Sequence, residues 1–203
     1  MPNKLAFLDL PGEVRNQIYT ILLVLPSNTS GKFVPVPTNE PSIYPQILAV
    51  CKSIHHESKQ ILYGKNIFYA HAQLLTGLPL LRQWWSSSCT VRSPELISLI
   101  RRYRLRVRLD CDPRFSAQQA EESFTGIEEF YIEAIQAQYG GSDYSVLRLF
   151  EGVRGVTRAT VIGGVGTFPE YAAWLQKSMM APIGSEFEAF EPPIQEEFGH
   201  MRI

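Results

Sequence analysis

The sequence predicts an α+β chain, close to α/β, in which an N-terminal helical module precedes a small sheet with helices on one face. Three observations carry this. Two amphipathic helical stretches lie within the first 65 or so residues. The run YRLRVRLD alternates strictly between apolar and basic side chains. The best strand candidates begin roughly 25 residues apart with helical or loop segments between them, a spacing that fits a degenerate leucine-rich-repeat-like array as well as a plain two-layer domain.

The opening helix is announced by LDLPGEVRNQIYTILL, residues 8 to 23. Pro11 suits the first helical position, where a missing N–H costs nothing, and Glu13 meets the positive end of the helix dipole. Val14, Ile18, Ile21 or Leu22, and Leu25 form an aliphatic stripe, and Pro26 stops the helix. Residues 26–45 hold five prolines and read as a long loop, with an extended piece at Phe33–Val36. A second helix is predicted from Pro45, with Ile47, Val50, Cys51, Ile54, Ser58, Ile61 and Leu62 on one side and Gly64 as its left-handed stop. Asn66 to His71 should then be a short strand.

Further on, a short helix is expected over Leu80 to Trp85 and another from Ser93-Pro94-Glu95. Tyr103, Leu105, Val107 and Leu109 alternate with Arg102, Arg104, Arg106 and Arg108 in a strand with one basic face. Residues 127–135 fit strand or helix; strand is preferred, because Glu129, Tyr131 and Glu133 alternate with Phe130, Ile132 and Ala134. Tyr144 to Phe150 reads as helix, TRATVIG as strand, and FPEYAAWLQKSMM as an amphipathic helix. The segment from Ala181 onward is acidic and proline-broken, a tail with at most a docked piece. The predicted organisation is a helical module over 1–66, an α/β part over 67–180 and the tail over 181–203.

Composition narrows the function. Of 203 residues, 45% are hydrophobic and 11% aromatic, enough to build a core, and 19 Lys+Arg nearly balance 20 Asp+Glu. That balance argues against a chain built as a whole for nucleic acid or an anionic membrane. Cys51, Cys89 and Cys111 are odd in number and widely spaced, which fits a reducing compartment better than a disulfide framework. Asp9 and Glu13 interrupt the N-terminal apolar run, so it is not read as a secretory signal, and no aliphatic stretch is long enough to span a bilayer. The expectation is an intracellular protein, cytoplasmic or nuclear.

The helical pair resembles the F-box. The residues that carry the likeness are Leu10, Pro11, Glu13, Val14, Ile18 and Leu22, followed by Val50, Cys51 and Lys52 of AVCKSI. The wider pattern LDLPGEVRNQIY, ILAVCKSIHHES, ILYGKNIF is similar to a large group of fungal proteins with F-box-like N-termini, closely over residues 5 to 70 and more loosely beyond. The resemblance implies that Leu10, Pro11, Glu13, Val14, Ile18 and Leu22 contact a Skp-family adaptor of an SCF-type ubiquitin ligase. It also implies that the rest of the chain captures a protein substrate.

From the residues alone, the stripe Val14–Ile18–Leu22 either buries against the second helix or faces a partner. Burial of each such side chain contributes roughly 1.5–3 kcal/mol, enough to explain it without any partner. Leu10 and Pro11, at the helix tip, are poorly placed for an internal core and favour docking. Arg102, Arg104, Arg106 and Arg108 are candidates to hold a substrate or another anion; the competing reading pairs them with Glu129 and Glu133 across the sheet, or with the acidic tail. An alternative function follows: a free-standing binding module using this face for nucleic acid or a phosphorylated or acidic protein. GGVG at 163–166 lacks the remainder of a phosphate-loop signature and reads as a tight turn. Trp84-Trp85 fits core packing better than base stacking. No metal-ligand spacing, nucleophile motif or paired catalytic carboxylate stands out, so neither enzyme chemistry nor a cofactor is expected.

Overall fold

The computed structural model describes residues 6–26, 43–81, 90–136, 143–186 and 188–191. Helix α1 (Gly12–Leu23) and helix α2 (Lys52–Lys65) form the N-terminal pair. A sheet follows, built from β1 (Phe68–His71), β2 (Leu75–Leu80), β3 (Arg102–Arg108), β4 (Glu129–Ile135) and β5 (Arg158–Gly163). Helices α3 (Pro94–Ile97), α4 (Ala117–Phe124) and α5 (Pro169–Met180), with a 3-10 turn at Val146–Phe150, lie between and after the strands.

The strand order is β2-β1-β3-β4-β5. β1 and β2 are antiparallel, whereas β1, β3, β4 and β5 run parallel and adjacent in chain order. The chain is thus α+β with a mixed sheet. Alternation in β3, β4 and β5 sends one set of side chains into a single core. Tyr103, Leu105, Val107, Phe130, Ile132, Ala134, Ala159 and Val161 cluster with Phe124 of α4, Phe150 of the turn, and Tyr171, Leu175 and Met179 of α5. The opposite parity carries Arg102, Arg104, Arg106, Glu129, Tyr131, Glu133 and Arg158.

A smaller cluster joins the two N-terminal helices through Tyr19, Leu23, Ile54 and Leu62. Ser58, fully buried, bonds back to the Ile54 carbonyl at 2.6 Å, leaving a small contact surface on α2. Tyr63 and Leu81 pack against both clusters, and the Tyr63 ring stacks on Phe68 at 5.7 Å.

Several elements differ from expectation. Pro11 caps α1 and Gly12 is its first residue; α1 ends at Leu23, not Leu25. Pro45 opens a 3-10 turn (Pro45–Ala49), and Cys51, extended at φ −161 and ψ 168, breaks the backbone before α2 begins. The break turns Val50 and Cys51 outward, off the buried side assigned to them. Gly64 lies inside α2, which ends instead on extended Asn66. Leu80 closes β2 where a helix was expected to start, and a 3-10 turn at Val146–Phe150 stands where an α-helix was expected over Tyr144 to Phe150. At the end of β5, Gly163 has φ 96, and a Cβ there would strike the Ala134 carbonyl oxygen, so this part of GGVG is glycine by necessity. Trp84-Trp85, Phe33–Val36, most of the 26–45 loop and the tail beyond 191 lie outside the described residues.

Candidate functional site

The tip of α1 is built by a short turn and fixed by one arginine. Residues Phe7–Asp9 form a 3-10 turn in which the Ala6 amide donates to Asp9 Oδ2 at 2.8 Å. Phe7 sets its ring on Tyr19 at 5.8 Å. Arg15 Nη1 then donates to the carbonyls of Leu10 (2.6 Å) and Leu8 (3.3 Å). The same guanidinium binds Glu57 on α2 in a two-point pair, Nε to Oε2 at 2.9 Å and Nη2 to Oε1 at 2.7 Å. Tyr19 Oη donates to Glu57 Oε2 at 2.9 Å. One carboxylate therefore ties the tip, α1 and α2 together.

At the other end of the pair, Asn66 does the equivalent work. Its Nδ2 donates to the Leu23 and Leu62 carbonyls, both at 2.8 Å, and its Oδ1 accepts the Leu25 amide at 2.8 Å. Each helix leaves its last carbonyls without intrahelical partners, and this one side chain takes one from each, while the Tyr44 amide takes Leu22 and Arg102 Nη1 takes Lys65.

The residues of the helix pair thus divide in two. Arg15, Tyr19, Ile54, Glu57, Ser58, Leu62 and Asn66 hold the helices together. Leu10, Pro11, Glu13, Val14 and Ile18 do not enter the small cluster. The buried face of α1 is the Tyr19–Leu23 face, both 0% exposed. Val14 is 38% exposed and Ile21 79%, and Leu8 in the preceding turn is 46% exposed. Leu10 and Ile18 are half-buried, Pro11 and Glu13 are exposed, and Leu22 packs at the edge of the small cluster. At 100° per residue, Val14 and Ile21 lie nearly opposite Tyr19, so α1 is apolar on two sides and uses one for its own fold.

The Arg15–Glu57–Tyr19 network has a pH signature. Hydrogen bonds from Arg15 and then Tyr19 hold the Glu57 carboxyl below its usual range. Burial, with the bond to Glu57, pushes the Tyr19 phenol up to about 12. A lowered carboxylate pKa stabilises the fold above the unfolded-state value and stops doing so as pH falls through the folded-state value. Glu57→Gln should therefore melt below wild type at neutral pH, and the gap should close as pH falls through the lowered Glu57 pKa. Thermal melts of both chains across the acid range test this; a gap unchanged at the acid end rejects the ion pair as its source.

The arginine row is already engaged. Arg102 Nε meets Glu128 at 3.1 Å and its Nη1 lies 3.9 Å from Glu129. Arg104 and Arg106 share Glu133, at 3.4 and 3.1 Å. Arg108 binds Asp110 in a two-point pair at 2.8 and 3.1 Å. Buried Glu129 is also paired by Arg158 of β5, its register partner on the other side. Glu129 and Glu133 as partners were legible from alternation; Glu128 and Arg158 were not, because register is not written in one strand, and Asp110 pairs locally, two residues beyond Arg108. The tail's Glu186, Glu188 and Glu191 are exposed.

A further aromatic group gathers around α5. Tyr144 stacks on Tyr171 at 4.0 Å, Trp174 lies 5.5 Å from Tyr171, and Phe168 meets both tyrosines edge-on. Phe190 of the tail reaches Tyr171, Trp174 and Tyr144 at 5.2, 5.7 and 6.1 Å. Only the helical half of this set, Tyr171 and Trp174, carried a periodic signal.

Among the described residues no group of three or more His, Cys, Asp or Glu is placed to hold a metal ion. His55 turns its Nδ1 to the Leu48 carbonyl at 2.9 Å. No helix among the described residues is long and apolar enough to cross a membrane. No family model, no curated protein and no solved structure matches the chain.

Proposed function

We propose that this chain is a non-enzymatic interaction adaptor of the F-box type. Its N-terminal helix pair docks on a Skp-family adaptor of a ubiquitin ligase, and its α/β part holds a protein substrate. One observation supports this above the others: α1 keeps a second apolar side, Val14 and Ile21, turned away from the Tyr19–Leu23 face that closes its own core. An exposed aliphatic side on a rigidly held helix is what helix-in-groove docking uses. Arg15 adds to the case by fixing the Leu10 and Leu8 carbonyls, which gives the tip a set shape before any partner arrives. Such a role would place the protein in the cytoplasm or nucleus.

The arginine face contributes less to this reading than its charge suggests. An anionic partner there would have to displace Glu128, Glu133 or Asp110 from guanidinium groups they already engage. The free-standing nucleic-acid or phosphoprotein module has correspondingly weak support.

Co-expression with a Skp-family adaptor, followed by affinity purification, tests the proposal. The wild-type chain should co-purify. Val14→Asp combined with Ile21→Asp should reduce recovery at least tenfold while circular dichroism and melting stay near wild type, because neither side chain enters a core cluster. Leu10→Ala with Pro11→Ala should weaken it further. Undiminished recovery of both folded variants would reject the docking face.

A further inference from the structure

We propose that the Tyr144–Tyr171–Trp174 box is a docking site for a short extended peptide carrying one aromatic ring among carboxylates, and that the chain's own tail occupies it in cis. The seated occupant is visible. Among the described residues from 182 to 191, Phe190 alone is not exposed. Its ring stands nearly perpendicular to Tyr171 (86°) and Tyr144 (79°) and tilts against Trp174 (54°). Edge-to-face contacts of this kind are the preferred aromatic geometry and are specific for a ring, not for apolar volume alone.

The box is braced from within the fold, and Phe190 reaches it from an exposed stretch of chain. Tyr171 is buried, and its hydroxyl donates to Glu151 at 2.8 Å, which fixes the ring that Phe190 meets most closely. Tyr144 is held by stacking on it. By contrast, Glu186, Glu188, Ala189 and Glu191 around Phe190 are all exposed, so among the described residues of this stretch Phe190 is the one that reaches the box. A ring seated on a pre-formed site from an exposed stretch of chain can exchange, and carboxylates on both sides keep the released segment soluble. The chemistry that would replace it is the chemistry already seated: an acidic peptide with a phenyl ring.

This inference takes its purpose from the reading of the α/β part as the partner-holding half, but its test needs no Skp-family adaptor, so either can fail alone. A tail tethered within ten or so residues is present at about millimolar effective concentration. Against a free peptide binding near ~0.1 mM, that competitor weakens apparent affinity about tenfold. The experiment titrates a fluorescently labelled peptide of residues 188–193, which carries Phe190 as its one ring, with full-length wild type and with Phe190→Ala. The Phe190→Ala chain should bind at least tenfold more tightly than wild type. The peptide carrying alanine at position 190 should bind neither, a control that leaves the protein's fold untouched. Equal binding by the two chains, no binding by either, or full binding of the alanine peptide would each overturn the proposal. So would wild-type dimers that disappear in Phe190→Ala, since the tail would then serve a second copy.

Discussion

Replacing Phe130 with alanine is expected to lower the free energy of unfolding by about 3–5 kcal/mol. Phe130 is fully buried at the second position of β4, with β3 and β5 bonded on either side. Its ring stacks on Phe124 of α4 at 4.1 Å and meets Phe150 of the 3-10 turn at 5.8 Å. Phe124 and Phe150 touch each other at 6.4 Å, and Phe150 meets Phe115 at 5.7 Å. The cavity left by alanine would be walled by a strand that cannot shift without breaking two ladders, and by rings already braced on one another. Poor collapse places the cost near the top of the large-to-small range rather than the bottom. A domain of this size has about 5–15 kcal/mol in total, so the variant should fold marginally if at all. Urea denaturation of wild type, Phe130→Leu and Phe130→Ala measures it. A loss below about 1 kcal/mol for alanine would mean that the triad of rings does not hold the sheet to its helices.

The same residues show what the sequence disclosed and what it hid. Strands β3, β4 and β5 were legible because one face of each meets a continuous core, so period-two alternation survives in the sequence. Strand β2 was hidden by Gly77 and Pro79, residues that a sheet tolerates at an outer strand but that read locally as a loop. Helix α4 was not anticipated, although Ser116 and Gln119 form a reciprocal capping box and Ala120 and Phe124 lie four apart. Its polar composition masked an apolar stripe only two residues wide.

The buried face of α1 was the harder failure. Aliphatic spacing selects Val14, Ile18 and Leu22, yet the face against α2 is chosen by Tyr19, Leu23 and the Arg15–Glu57 pair. Hydropathy counts a tyrosine hydroxyl, an arginine and a glutamate as outward signals. Here their mutual hydrogen bonds remove that penalty and turn the aliphatic side of the helix away. Cys51 belongs with this: a single extended residue, unmarked by glycine or proline, re-aimed everything before it.

Asn66→Ala is expected to cost about 3 kcal/mol, the largest effect of any polar substitution in the N-terminal pair. Asn66 is almost fully buried, and alanine would leave the Leu23 carbonyl, the Leu62 carbonyl and the Leu25 amide short of a partner at once. Each buried group left unpaired costs about 1–3 kcal/mol. The sum is reduced because the chain after Leu23 lies near the surface, where water can reach part of it. Asn66→Asp separates the contributions. It keeps an acceptor for the Leu25 amide but loses both donors and sets a carboxylate against two carbonyl oxygens, so it should be no more stable than alanine. If aspartate restores stability, the bond to Leu25 carries the effect and the closure of both helix ends does not. The consequence reaches the proposed docking face without touching it. Asn66 at one end and Arg15–Glu57 at the other flank the Tyr19, Leu23, Ile54 and Leu62 contact between α1 and α2, and loosening one end should let α1 roll and bury Val14 and Ile21 part of the time. At a temperature where Asn66→Ala remains folded, its recovery with a Skp-family adaptor should therefore fall although every contacting side chain is intact. Full recovery with reduced stability would show that the partner itself sets the helix in place.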